Sequence, residues 1–213
     1  MGKKYELTEE TKEFCNRTLY RIKALKDFGD VEVGDLGGYI ESESNLMQEG
    51  CAWVYGNAMV YGSARVCDNA KVYGDAKVFD NAKVYGDANV YGSANVYGDA
   101  MVLGSADVCG SANVYGSANV YGYADVRGDA DVCGDAEIKG KTDYIVFKNW
   151  WSSGRYFTWT RSNNMWKVGC FYGTGKELVE KAYKDSELSG REYERVVKYV
   201  ESILADEKKQ RKQ

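Results

Sequence analysis

Four of the five tryptophans, Trp150, Trp151, Trp159 and Trp166, fall between residues 150 and 166. Arg155, Tyr156, Arg161 and Lys167 are interleaved with them or follow directly. An aromatic face beside a guanidinium or ammonium group can stack a planar ring and hold an anion. The candidate ligand-binding set is therefore Trp151, Arg155, Tyr156, Trp159, Arg161 and Lys167, and the expected ligand is small, anionic and nucleotide-like. In the alternative reading the tryptophans are simply the core of a small domain and its contact with the rest of the chain. Lys176 joins the set from Gly173-Thr174-Gly175-Lys176, where a strand should hand over to a helix. Backbone N–H groups at such a junction can bind an anion. The segment is not a P-loop, because Cys170 stands at the first glycine position and Glu177 at the magnesium-binding hydroxyl position. Ordinary helix capping accounts for it without a ligand.

The chain has no histidine and no Cys-x-x-Cys among its six cysteines. No nucleophile–base pair is visible, so no catalytic residue, metal ligand or cofactor is expected. Net charge is −4 and no long basic run lies within the fold, which disfavours duplex nucleic acid as a partner. No apolar stretch is long enough to span a membrane, and the first residues lack a signal-peptide core. A soluble, cytoplasmic protein with reduced cysteines is the expectation, in the host cytoplasm if the chain is phage-encoded.

Ahead of these residues runs a six-residue repeat from Val54 to Asp143, fifteen units long. The first position is Val in every unit but the last, which has Ile138, and the fifth is Ala in every unit but the last, which has Thr142. The third is Gly except at Asp68 and Asp80. Ala-x-Val-x alternates inward and outward positions, as a short strand does. Gly and Asp, Asn or Ser then supply a corner. Asp75, Asp87, Asp99, Asp129 and Asp135 are corner residues of this kind. Strand and corner, repeated, coil the chain into a stack, and an open end of such a stack needs a cap.

The pattern of aliphatic, x, Gly, x, small, x resembles the hexapeptide-repeat solenoids. The resemblance implies a left-handed parallel β-helix in which three units make one triangular 18-residue coil, here about five coils. It also implies three-fold oligomers. Acyltransferases of this kind use a histidine base and carbonic anhydrases of this fold use three histidines on zinc; neither route is open here. Gly34 to Glu41, with Asn45-Leu46, Gln48-Glu49-Gly50 and Trp53-Val54-Tyr55, is similar to the lead-in segment of a hexapeptide-repeat family common in phages and prophages. An enterobacterial member of that family is named a transferase without a known active site, so no catalytic residue carries over.

On an 18-residue coil the outward residues sort onto three faces. One stacks Tyr55, Tyr73, Tyr91, Cys109 and Arg127; another Tyr61, Phe79, Tyr97, Tyr115 and Cys133; the third Cys67, Tyr85, Leu103, Tyr121 and Lys139. These ladders either cover the coil edges or form a subunit interface. The interface is expected on Tyr61, Phe79, Tyr97 and Tyr115. Cys67, Cys109 and Cys133, on different faces, cannot pair within one chain. The sixth position runs from Arg65, Lys71, Lys77 and Lys83 through Asn89 and Asn95 to Asp125, Asp131 and Glu137, basic at one end and acidic at the other.

The expected organisation is an N-terminal cap (1–37), the β-helix (38–143) and a C-terminal unit of three strands and two helices (144–213). Within it Tyr144 to Trp151, Arg155 to Arg161 and Met165 to Tyr172 should be strands. Thr174-x-x-Glu177 and Ser189-x-x-Glu192 should open the helices. The tail from Glu207 to Gln213 should be a frayed helix end. These features suggest a non-enzymatic, phage-type, trimeric binding protein that captures a small anion or a host protein and so counteracts host defence. The alternatives are an atypical acyltransferase-like transferase and a structural spacer.

Overall fold

The computed structural model describes residues 2–210. Of the expected frayed end, Glu207 to Gln213, the part from Glu207 to Gln210 is helical and the last three residues lie outside the described residues. Two strands, β1 (Tyr5–Phe14) and β2 (Arg17–Ala24), form an antiparallel hairpin. Cys15 and Asn16 turn it with φ of 50° and 58°. β3 (Leu36–Ile40) pairs with β2 on one side and begins the solenoid on the other. Fifteen two-residue strands follow, one every six residues, from β4 (Trp53–Val54) and β5 (Met59–Val60) to β18 (Glu137–Ile138).

The chain is mainly β, and its central part is a parallel β-solenoid. Each strand pairs in parallel with the strand 18 residues on, Val72 against Val90 and Val90 against Val108. The regular strands are short, but inter-coil hydrogen bonds extend along the whole side: Lys71 N–H to the Ala88 carbonyl at 2.9 Å, Tyr73 to Val90 at 3.0 Å and Asp75 to Gly92 at 2.7 Å. The first turn is irregular yet in register, because Tyr39 and Ile40 stack on Met59 and Val60, and Leu46 bridges to Val66. Counting that turn gives about six turns rather than the five expected from the strict repeat. Inside, every repeat Val and Ala is buried, from Val54 to Ile138.

Two corners break the glycine rule, and both have a reason. Asp68 and Asp80 take the left-handed conformation at φ 60° and 58°. Their carboxylates accept hydrogen bonds from the next turn, Asp68 from Gly86 N–H at 3.0 Å and Asp80 from Gly98 N–H at 3.4 Å. A short polar side chain tolerates this backbone better than a branched one. The sixth position forms amide ladders. Asn95 Nδ2 donates to Asn113 Oδ1 at 3.1 Å, and Asn113 Nδ2 donates to Asp131 at 2.8 Å. On the neighbouring side Asn89 donates to Asp107 at 3.0 Å. The third ladder reads Met101, Asn119, Glu137. A thioether has no donor, and Asn119 Oδ1 is buried without a hydrogen bond.

The hairpin, expected only as a cap, is an edge of the solenoid itself. The order β1-β2-β3-β5 makes it continuous with one side of the stack. The fully buried Lys4 braces the lead-in turn, its ammonium donating to the Ala52 carbonyl at 2.9 Å and the Glu49 carbonyl at 3.3 Å. Tyr5 OH donates to the Leu46 carbonyl at 2.6 Å and its ring meets Trp53 edge-on. Val31 makes an isolated bridge with Phe28.

The chain divides into two compact units. One runs to Ile145 and takes in Thr160–Asn163; the other is Val146–Trp159 with the chain from Asn164 onward. In the first, the Thr160–Asn163 segment closes the last turn: Glu137 N–H donates to Ser162 Oγ at 2.7 Å and Asn163 Nδ2 donates to Asp135 at 2.8 Å. The C-terminal sheet has four strands in the order β19 (Tyr144–Lys148), β20 (Tyr156–Thr160), β21 (Met165–Val168), β22 (Phe171–Gly173). One long third strand was expected. Gly169, at φ 53°, divides it into an antiparallel pair.

Two helices complete that unit, α1 (Gly175–Asp185) and α2 (Glu187–Gln210). Thr174 opens α1 with the expected capping box, Glu177 accepting from Thr174 N–H at 2.8 Å. The second helix starts before Ser189. Ser186 Oγ accepts from Ser189 N–H at 3.1 Å, so Ser186 is the cap and Ser189 lies inside the helix. Gly190 is buried where a Cβ would stand 2.2 Å from the Tyr183 ring, which lets α1 and α2 approach closely. No helix among the described residues is long and apolar enough to cross a membrane.

Candidate functional site

The tryptophans of the C-terminal unit are drawn inward. Phe157, Thr158 and Trp159 on β20 are all buried, so both faces of that strand are covered. Trp159 is 1% exposed and its indole N–H donates to Asn164 Oδ1 at 2.9 Å. Trp166 is buried too, beside Phe147. Trp151 is half-buried and meets Phe157 and Tyr193 edge-on at 5.8 and 5.5 Å. These rings form an aromatic core that also holds Tyr193, stacked on Phe157 at 4.8 Å. Burial pushes the Tyr193 phenol up. Trp150, by contrast, is 79% exposed.

The cations of the expected site are dispersed. Tyr156 is at the surface with the Lys148 ammonium 5.5 Å from its ring centroid. Lys167 is half-buried on β21, in register with Tyr172. Lys176 is exposed in the first turn of α1, 3.9 Å from Glu180. Arg161 belongs to the other unit, where its Nε donates to the Thr142 carbonyl at 2.8 Å. Beside the capping box, Gly175 leaves room for Val197, because a Cβ there would approach it to 2.8 Å.

Arg155 is placed differently. It lines a cavity of about 100 Å³ with Val168, Cys170, Phe171, Leu178, Lys181, Asp185 and Tyr193. Its guanidinium lies over Gly169, 3.3 Å from where a Cβ would stand. Lys181 sits 5.5 Å from the Phe171 ring centroid. The sequence reading missed Lys181 and Asp185, which look like ordinary helix-surface residues, and Tyr193, which fits the apolar face of the second helix, until α1 and α2 are folded against the sheet.

On the solenoid, the second ladder is a flat stack. Ring centroids are 5.0 Å apart for Tyr61–Phe79 and 4.8 Å for both Phe79–Tyr97 and Tyr97–Tyr115, with planes inclined by 3° or less. The spacing equals that of neighbouring strands, about 4.8 Å. Tyr61 is covered by the chain's own hairpin: Phe14 meets it edge-on at 5.7 Å, and Leu19, Tyr39 and Met59 surround it. Phe79, Tyr97 and Tyr115 remain half-exposed. Burial pushes the Tyr61 phenol up to about 12, and raises Tyr97 and Tyr115 as well.

The first ladder begins differently. Tyr55 stands edge-on to Tyr73 and donates to Asp30, which also pairs with Lys71 at 2.9 Å. Tyr73 and Tyr91 then stack at 4.8 Å. A hydrogen bond with Cys109, then burial, pushes the Tyr91 phenol up to about 12. No disulfide joins the cysteines, and no cluster of Cys, Asp or Glu able to hold a metal occurs among the described residues.

Fold and ladders together define a hexapeptide-repeat parallel β-solenoid carrying a small C-terminal unit. Residues 52–68 match the family model described as the YdcK beta solenoid repeat. A stretch of 61 residues is 41% identical to the Uncharacterized acetyltransferase YdcK of Escherichia coli strain K12, covering 25% of this chain and 19% of that protein. The chain therefore spans about a fifth of the length of that relative. The likeness supports a hexapeptide-repeat β-helix relationship.

Proposed function

We propose that the protein is a non-catalytic, self-associating binding protein: the solenoid joins copies of the chain along Phe79, Tyr97 and Tyr115, and the C-terminal unit holds a small anion. The observation that carries this reading is the flat stack of Phe79, Tyr97 and Tyr115, three half-buried rings of which only Phe79 packs against the apolar cluster under the hairpin. Ordered, contiguous aromatic surface is the composition of an interface core. Three-fold association agrees with solenoids that the repeat resembles. The absence of histidine from the sequence supports binding over acyl transfer. Cytoplasmic location fits the reduced cysteines. The lead-in segment's resemblance to phage and prophage proteins supports a finer form, capture of an anion or a host protein to counteract a host defence. Native mass spectrometry of protein from expressing cells tests the reading. It should give a multiple of the 23.8 kDa chain, and a bare monomer would refute it.

The name of the Escherichia coli relative favours a second reading, an atypical acetyltransferase. Acetyl-coenzyme A turnover by the full chain, with a panel of amine and hydroxyl acceptors, would decide for it. Our reading expects no turnover.

A further inference from the structure

Among the described residues, the Arg155 guanidinium makes no hydrogen bond or ion pair, although it lines a cavity. The Lys181 ammonium faces the Phe171 ring, and the Asp185 carboxylate makes no hydrogen bond or ion pair among the described residues, though it and Arg155 both act electrostatically on the Tyr193 phenol. Three charged groups thus share one small cavity without neutralising one another by contact. Their sum, two positive and one negative, is +1. The remaining wall is the apolar Val168, Phe171, Leu178 and Ala182, with Cys170 and Tyr193 beside them.

Each property narrows the ligand. Unpaired cations call for an oxyanion, and guanidinium matches the planar fork of a carboxylate. The surplus of one positive charge matches a monoanion, and Asp185 would repel a second negative charge. The apolar wall gives an alkyl chain somewhere to leave water. The volume, about 100 Å³, lies below the roughly 300 Å³ at which pockets begin to enclose drug-sized ligands. A whole nucleotide could not be enclosed in it. We infer that the cavity between β21, β22 and α1 is a binding site for a short-chain aliphatic monocarboxylate, with Arg155 and Lys181 on the carboxylate and Val168, Leu178 and Phe171 around the chain. The inference rests on the reading of the C-terminal unit as anion-binding and replaces the nucleotide-like ligand with a smaller one.

Calorimetric titration of the full chain with butyrate, inorganic phosphate and adenosine monophosphate tests it. Butyrate should bind saturably, and phosphate at least about tenfold more weakly. Arg155→Gln and Lys181→Gln should each weaken butyrate by about tenfold, the loss of one charge-assisted bond. Arg155→Gln should leave the melting temperature unchanged, since its guanidinium has no hydrogen bond or ion pair to lose, and Lys181→Gln should lower it only slightly, by the loss of its cation–π contact with Phe171. Butyrate binding that both substitutions leave unchanged would overturn the site. If phosphate or adenosine monophosphate binds in an Arg155-dependent way and butyrate does not, the carboxylate assignment falls and the anion-binding reading stands. If none of the three binds, both fall.

Discussion

Tyr97 and Tyr115 lie parallel, with ring centroids 4.8 Å apart and planes inclined by 2°. They are 18 residues apart, so one coil of backbone sets their spacing and the rings follow it. Inward, the same register sets Val96 on Val114. One sequence period therefore builds a dry aliphatic core and an ordered aromatic surface at once.

The inward–outward assignment has a direct test. Val96 is fully buried, so Val96→Asp places an unpaired charge in the core and should cost several kcal/mol, on the order of 3 or more. The sequence alone makes Asn95→Asp seem free of cost, because position 95 faces out. The hydrogen bond from Asn95 to Asn113 changes that, and about 1 kcal/mol should be lost. Chemical denaturation of both variants measures the difference. Equal losses would refute the assignment.

The interrupted ladder at Met101 predicts a gain. An amide at this position would donate to Asn119 Oδ1, as Asn95 does to Asn113. Met101→Asn should raise stability by about 1 kcal/mol, within the usual range for a buried acceptor newly satisfied. A lower melting temperature would mean that Met101 contributes more by packing.

At the corner, Asp68→Ala should cost about 1–2 kcal/mol, combining left-handed strain with the lost bond to Gly86. Asp68→Gly relieves the strain and should cost clearly less. If alanine and glycine behave alike, the positive φ is not what selects the residue.

Alkaline pH should act on the ladders. A buried phenol whose pKa is raised keeps its proton in the folded state above pH 10, where the unfolded chain releases it. The contribution of Tyr61, Tyr91, Tyr97 and Tyr115 is thus fully present below about 10 and is lost as pH rises beyond it. Lys4 acts in the opposite sense: burial lowers its ammonium to about 8 from the usual 10.5, so stability should climb between those values before the tyrosines reverse it. Denaturation midpoints against pH, with tyrosinate absorbance recorded in parallel, give both limbs. Ionisation of the ladder tyrosines near pH 10 without loss of β-sheet signal would contradict this.

The solenoid was legible because Val60, Ala64 and Val66 each repeat one local environment many times. β1 was not, since Glu6, Glu9, Glu10 and Glu13 give neither a helical nor a strand pattern, and only pairing with β2 makes the segment a strand. Trp159 and Arg155 lie close in sequence and meet different fates. Trp159→Ala should cost about 3–5 kcal/mol as a core deletion, whereas Arg155→Ala should leave the melting temperature in place. Aromatic residues beside cations read alike whether they face ligand or core. The choice depends on what covers each side of β20, and that is settled by helices far along the chain.

The most direct test of the account is the mass in solution at micromolar concentration, by light scattering, of the wild type and of the double variant Tyr97→Glu, Tyr115→Glu. The account predicts a three-fold multiple of 23.8 kDa for the wild type and a folded monomer for the variant. A monomeric wild type would contradict it.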